Sequence, residues 1–296
     1  MAALLLDLKP GDEVIVPSFT FVSTVNAFVL HGASPVFIDI RPDTLNLDER
    51  LLPELLSART RAIVPVHYNG VGCEMDVILR LASEAGAAVV EDNAHGLFGR
   101  YRDRWLGTMG PLGALSFHET KVFTCGEGGA LLVNNPALLQ RAEIIREKGT
   151  DRTRFLRGQS HCYTWRDVGS SYLPADLLAA LLWSQLQQKE AILERRRALW
   201  QRYHSGLQPW AEGHGVGRPA CPAHCEQPSH MYYLILAEPG DRDRLIQHLG
   251  AHGIHATSHY VPLHNSPMGQ SVVRRPTECP VTEMVSRRLV DRKSVV

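Results

Sequence analysis

The chain has 296 residues, 44% of them hydrophobic, which is enough for a sizeable core and suggests one large domain with a smaller one. Thirty-one Lys and Arg balance thirty-one Asp and Glu, so no net field draws nucleic acid or an anionic membrane, and a small-molecule ligand is the better expectation. The opening "MAALLLDLKPGDE" lacks the basic flank and cleavage site of a signal peptide, and no later run approaches a membrane span, so a cytoplasmic protein is expected.

Short apolar runs then follow at intervals: "EVIVP" (13–17), "PVFIDI" (35–40), "AIVPVHY" (62–68), "AAVVED" (87–92), "ALSFH" (114–118) and "GALLVN" (129–134). Between them "FVSTVNAFVLHG" and "MDVILRLASEAG" carry helical patterns, each closing on a glycine where a helix C-terminus is expected. Continuous β-branched runs without strict alternation predict strands buried on both faces, hence an open α/β sheet that is parallel or mostly parallel. In such sheets the ligand sits beyond the carboxyl ends of the strands. That rule singles out Tyr68, Asp92, His95, Ser116 and Lys121.

Beyond residue 135 the pattern becomes helical, first in "PALLQRAEIIREKG" and then in "PADLLAALLWSQLQQKEAILERRRALWQRYHSGL", which is long enough to bridge two domains. The stretch "MYYLILAEPGDRDRLIQHLGAHGIHATSHYVPLH" reads strand, helix, strand. A boundary near residue 190 divides the chain into a large domain, 1–190, and a small C-terminal α+β domain, 191–296.

Six cysteines (Cys73, Cys125, Cys162, Cys221, Cys225 and Cys279) are scattered through a chain too large to need disulfide staples, and reduced thiols are expected. Cys221, His224, Cys225 and His230 in "CPAHCEQPSH" are soft ligands by type, but their spacing matches no common zinc pattern and the prolines suggest a surface loop. No metal is expected.

There is no G-x-G-x-x-G after the first strand, no G-x-x-x-x-G-K-[ST] and no H-E-x-x-H, which removes most support for dinucleotide, nucleoside-triphosphate and zinc-protease chemistry. An acid at one strand end (Asp92), a serine at the tip of a later strand (Ser116) and a lysine just beyond it (Lys121) remain. Those are the parts a pyridoxal phosphate site needs: an amine for the aldehyde, a carboxylate for the pyridine nitrogen and a hydroxyl for the phosphate. Taken singly, each also has an ordinary structural reading, with Asp92 a helix N-cap, Ser116 a capping hydroxyl and Lys121 a loop charge.

Taken together, "VVEDNAHG" resembles the E-D-x-A-[HQ] motif, and "SFHETKVFTCGEGGALL" the S-F-x-x-x-K-x-x-x-x-x-E-G-G motif, of the pyridoxal-phosphate-dependent sugar aminotransferases of the DegT type. The resemblance implies the fold of aspartate aminotransferase, fold type I. Longer stretches, among them "PSFTFVSTVNAFVLHGASPVFIDIRPDTLNLDE" and "YTWRDVGSSYLPADLLAALLW", extend it from residue 1 to about residue 290. They are similar to the branch that converts dTDP-4-dehydro-6-deoxy-D-glucose to dTDP-4-amino-4,6-dideoxy-D-galactose with L-glutamate as amino donor, a step in lipopolysaccharide and enterobacterial common antigen synthesis.

Carried over residue by residue, the resemblance makes Lys121 the Schiff-base lysine, Asp92 the partner of the pyridine nitrogen and Ser116 a phosphate ligand. His95 would lie near the ring oxygen of the cofactor, and Phe21 would stack on the pyridine ring, although core packing explains an aromatic there as well. Ser171 takes the place of a residue that reaches the phosphate of the neighbouring subunit, which implies a homodimer with shared active sites. Tyr68, with His259, Tyr260 and His264 of "HYVPLH", falls on the sugar-nucleotide side. A related branch has histidine in place of the lysine and dehydrates its sugars, so Lys121 favours transamination.

The departures are at the ends. The family carries several dozen residues before this start, including a small-residue loop that binds the cofactor phosphate, and "DRKSVV" replaces its usual continuation. A chain truncated at both ends is therefore expected. Two alternatives stay open: a non-catalytic or sugar-nucleotide-binding remnant, and an aminotransferase for another nucleotide sugar. Asn93 in place of alanine and Val122 in place of asparagine remove no needed group.

Overall fold

A computed structural model describes residues 1–292. Its strands are β1 (Glu13–Pro17), β2 (Ser34–Ile38), β3 (Thr60–Ile63), β4 (Ala88–Asp92), β5 (Arg100–Tyr101), β6 (Arg104–Trp105), β7 (Leu112–Ser116), β8 (Gly129–Val133), β9 (Cys225–Glu226), β10 (Tyr232–Ile235) and β11 (Leu289–Arg292). Its helices are α1 (Ala2–Leu5), α2 (Val22–Val29), α3 (Leu52–Leu55), α4 (Met75–Glu84), α5 (Leu139–Arg146), α6 (Arg152–Leu156), α7 (Asp176–Leu186), α8 (Lys189–Gly213), α9 (Asp241–Ala251), α10 (Pro267–Val272) and α11 (Pro280–Ser286).

Six strands form one sheet in the order β2-β1-β3-β4-β7-β8. All neighbours are parallel except β7 and β8, which run antiparallel with Ser116 opposite Gly129. The reason is visible in the alternation of side chains. Val14, Val16, Ala62 and Val90 point to one face, where they meet Val25 and Phe28 of α2 and Ala142 and Ile145 of α5. Ile15, Ile63 and Val89 point to the other face, against Met75, Ile78 and Ala82 of α4. A sheet covered on both faces has no polar side, so its strands carry the continuous apolar runs seen in the sequence. The expected α/β fold with a mostly parallel sheet is thus found, and the two glycine helix stops are Gly32 (φ +83°) and Gly86 (φ +66°).

Two elements differ from expectation. The long pattern predicted as one helix is broken between α7 and α8, where Gln188 leaves helical geometry at φ −105° and ψ 19°. The strand predicted after α9 is a single bridge, Thr257 to Asp291, and the partner of β10 is instead β11, with Tyr232 opposite Arg292. Of the unusual hexapeptide "DRKSVV", Asp291 and Arg292 belong to β11, and residues 293–296 lie outside the described residues. Among the described residues no helix is long and apolar enough to cross a membrane.

The C-terminal elements close over the carboxyl ends of the sheet. Met231, Tyr233, Val285 and Leu289 pack with Phe19, Ile40, Leu45 and Tyr68 in a third buried cluster. The carboxylate of Asp39, just past β2, accepts the N–H groups of Val281 and Thr282 and the Thr282 hydroxyl, each at 2.8 Å. It satisfies the free donors at the start of α11 and so ties the end of the chain to the sheet.

Candidate active site

Strand β4 ends in "VVED", and its pleat sends Glu91 and Asp92 to opposite faces. Glu91 is fully buried. It accepts the backbone N–H of Gly107 at 2.8 Å and those of Met109 and Gly110 at 2.6 Å. His67 Nδ1 accepts the N–H of Cys73 at 3.1 Å, so Nε2 carries the proton that reaches Glu91 at 3.0 Å. Burial alone pushes the Glu91 carboxyl up, but His67 and the backbone donors more than offset it and hold the carboxyl below its ordinary range. The result is an anchored strand end.

Asp92 emerges on the α2 face. Its Oδ2 accepts the Thr24 hydroxyl at 2.7 Å, and its Oδ1 accepts the Ala94 N–H at 3.1 Å. The second bond is the local turn expected of any such aspartate, whereas the first joins it to a helix on another segment.

Lys121 stands on the connection 117–128 between β7 and β8. That loop is held by its own backbone bonds, including Phe117 N–H to Gly128 O at 2.8 Å and Lys121 N–H to His118 O at 2.9 Å. From outside, the Gln185 carboxamide of α7 accepts the Thr124 N–H at 3.0 Å and donates to the Thr124 carbonyl at 2.8 Å.

A cleft of about 540 Å³ brings together Lys121, Asp92, His95, Ser116, Phe21, Tyr68, His259 and Tyr260, all at or beyond the carboxyl ends of the parallel strands or on the C-terminal segment facing them. Phe21 is 57% exposed, and it is Phe19, 1% exposed, that packs in the core. The Tyr68 hydroxyl lies 3.1 Å from His259 Nδ1, and the His259 and Tyr260 rings stack at 4.6 Å. Burial and neighbouring charge push the Tyr68 and Tyr260 phenols above their ordinary range, so both stay protonated.

Two of the expected residues lie elsewhere. His264 bonds Ser18 Oγ at 2.6 Å and Glu283 at 3.2 Å, outside the cleft lining. Ser171 is exposed, in a bridge to Glu147. The stretch weighed as a metal site is divided: His224 pairs with Glu74 at 2.9 Å, while His230 turns into the cleft.

The cleft also holds residues that sequence reasoning missed, among them Thr20, Thr24, His230 and Asp291. The two threonines follow β1 just as Tyr68 follows β3, so the strand-end rule could have found them. His230 stacks on His95 at 4.5 Å, and both are buried. His95 Nδ1 accepts the Asn69 N–H at 3.3 Å, whereas His230 Nδ1 is buried and has no hydrogen-bond partner among the described residues. Burial first, and then the nearby Lys121 charge, hold both imidazoles well below their ordinary range, so they stand neutral beside the lysine.

An amine, a carboxylate, hydroxyls, a flat aromatic face and an orphaned buried nitrogen in one cleft fit pyridoxal phosphate by the chemistry of the donor set. The family model of the DegT/DnrJ/EryC1/StrS aminotransferase family matches residues 1–293. A relative, the uncharacterized protein MJ1066 of Methanocaldococcus jannaschii, is 32% identical over 273 residues, covering 90% of this chain and 70% of that protein. The structure of S. venezuelae DesV in complex with a ketimine intermediate is 32% identical, with a TM-score of 0.85 over 99% of this chain and 76% of that one. The PLP-form of Spr1654, a putative sugar aminotransferase from Streptococcus pneumoniae, is 25% identical, with a TM-score of 0.87 over 99% of this chain and 78% of that one.

Proposed function

Because the chain belongs to the DegT/DnrJ/EryC1/StrS aminotransferase family, and is a pyridoxal-phosphate-dependent sugar aminotransferase, we propose that it takes the amino group of L-glutamate and delivers it to the C4 ketone of dTDP-4-dehydro-6-deoxy-D-glucose. The product is dTDP-4-amino-4,6-dideoxy-D-galactose. The observation that carries the transamination is the meeting of Lys121 and Asp92 in one cleft at the carboxyl ends of the sheet. The choice of sugar rests on the long sequence resemblances, and the half-buried rings of His259 and Tyr260, backed by the buried Tyr68, support a bulky ring substrate.

When bound, pyridoxal phosphate supplies an electron sink for the pair left at the substrate carbon. The chain's own groups do the rest. Lys121 Nζ would hold the cofactor by its aldehyde and, as the free amine, would move the proton to and from the substrate carbon. With the cofactor bound, the Asp92 carboxylate would face the pyridine nitrogen and keep its proton in place. Ser116 Oγ would donate to the phosphate, Phe21 would cover one ring face, and neutral His95 would lie beside the ring oxygen. His264, through Ser18 and Glu283, keeps the "HYVPLH" segment against the exit of β1.

The working form is a homodimer. In support, none of the residues of α7 is buried, although Leu177 is 80% and Trp183 65% exposed, an apolar face that a second copy of the chain would cover. Ser171 lies on the exposed stretch leading into that helix and is assigned to the cofactor phosphate of the neighbouring subunit. A large domain ends near residue 190, where α8 begins, and six free cysteines support a cytoplasmic setting.

Incubation of the purified chain and pyridoxal phosphate with the dTDP-sugar and glutamate, followed by mass spectrometry, tests the substrate. Formation of the amino sugar is expected. Turnover of a UDP-sugar alone overturns the sugar and leaves the class.

A further inference from the structure

Thr20 and Thr24 are 3% and 8% exposed, and the atoms they do show line the cleft. Thr24 Oγ1 donates to Asp92 Oδ2 at 2.7 Å, and Thr20 Oγ1 lies 2.9 Å from Thr24 Oγ1. A hydroxyl has a single proton. That of Thr24 is spent on the carboxylate, so the bond between the two threonines takes its proton from Thr20. The direction of the chain is thereby settled: Thr20 donates to Thr24, and Thr24 donates to Asp92.

A threonine in the first turn of a helix ordinarily bonds its own backbone. Thr24 instead reaches across 68 positions in the sequence to an acid on another strand, and its remaining acceptor site is filled by a second hydroxyl. The same turn of chain holds Phe21 outward over the cleft while Thr20 and Thr24 turn inward, so one short segment addresses both a ring face and the acid. Asp92 is bound at both oxygens, Oδ1 by the Ala94 N–H and Oδ2 by Thr24. A terminal carboxylate otherwise rotates in a broad, nearly two-fold well. With both oxygens tied, rotation is blocked and each oxygen keeps a lone pair for the ligand.

We propose that Thr20 and Thr24 are positioning residues, a relay of two hydroxyls that fixes the plane of the Asp92 carboxylate against the ring nitrogen of the cofactor. This rests on the reading that Asp92 faces that nitrogen. The relay acts through Asp92, and it therefore alters how the bound cofactor holds its protons as well as how tightly it binds.

The test uses the full chain with pyridoxal phosphate and two readouts: the cofactor dissociation constant, and the pH midpoint of the visible band of the lysine-bound cofactor. Thr24→Val keeps the shape and removes the hydroxyl. It is expected to weaken cofactor binding about tenfold, the scale of a hydrogen bond to a charged group, and to move the midpoint in the direction that Asp92→Asn moves it. Thr24→Ser restores the hydroxyl and is expected to return both values. Thr20→Val removes only the outer link, with an expected loss of about threefold. A Thr24→Val chain that matches the wild type while Asp92→Asn differs overturns the relay. An Asp92→Asn chain that matches the wild type overturns the reading of Asp92 instead. Should Thr24→Val not fold, Thr20→Val is read on the same scale, and an unmoved midpoint there overturns the relay.

Discussion

The two walls of the cleft are built differently. The Asp92 wall is the end of a central strand, with Val89 and Val90 in the two core layers and Glu91 bonded to three backbone N–H groups and His67. The Lys121 wall is a hairpin loop at the sheet edge, held by its own turns and by the Gln185 clamp from a helix with no buried residue. Asp92, half-buried at the end of that strand, is held by the packed strand behind it and by the Thr24 hydroxyl and Ala94 N–H at its two oxygens. Lys121, proposed to bond, release and carry a proton, stands on a loop whose Phe117, Val122, Phe123 and Cys125 are buried and which α7 clamps from outside through Gln185.

The largest effect that would break this contrast is at Lys121 itself. Lys121→Ala should abolish the visible band and lower turnover by at least about a thousandfold, with the thermal unfolding midpoint unchanged in the cofactor-free chain. A fall in that midpoint would show that the lysine loop is as much a part of the core as β4. Next comes Glu91→Gln, which presents an amide N–H to backbone donors in a fully buried site. It should cost about 3 kcal/mol in denaturant unfolding, because the buried groups are left without acceptors.

Gln185→Ala sharpens the comparison from the other side. It should lower kcat about tenfold through a loosened loop, yet cost under about 1 kcal/mol of stability, since Gln185 is only partly buried and its partner Thr124 can turn to water. The smallest effect is in pH. His95 and His230 have folded-state values depressed by burial, so the unfolded chain binds more protons and stability rises with pH up to the ordinary imidazole value of about 6.5. Acidification below that value should therefore lower the unfolding midpoint, and His230→Phe should flatten the slope.

The same contrast decides what could be read from the sequence. "EVIVP" and "AAVVED" announced strands because a strand buried on both faces must be apolar throughout, and Asp92, Ser116 and Lys121 followed from asking what stands at the strand ends. The break at Gln188 was not legible, because the residues on both sides are good helix formers and nothing local forbids continuation. The strand expected after α9 finds a ladder partner only at Thr257, since Leu289–Arg292 occupies the place beside β10. His230 and Asp291 reach the cleft from far along the chain through tertiary packing, which no local spacing encodes. Thr20 and Thr24, which follow β1, stand within reach of the strand-end rule.

The bond from Asp39 to the start of α11 bears on how the molecule is made. Chains are synthesised from the N-terminal side, so the residues of the sheet with Asp92 and Lys121 emerge before the residues that cover it. Until Val281 and Thr282 arrive, Asp39 is a carboxylate open to water and Phe19 and Tyr68 lack their apolar cover. The carboxyl ends of the sheet are therefore made before the segment that shelters them, and a slow pause late in translation would prolong the interval in which that apolar surface is exposed.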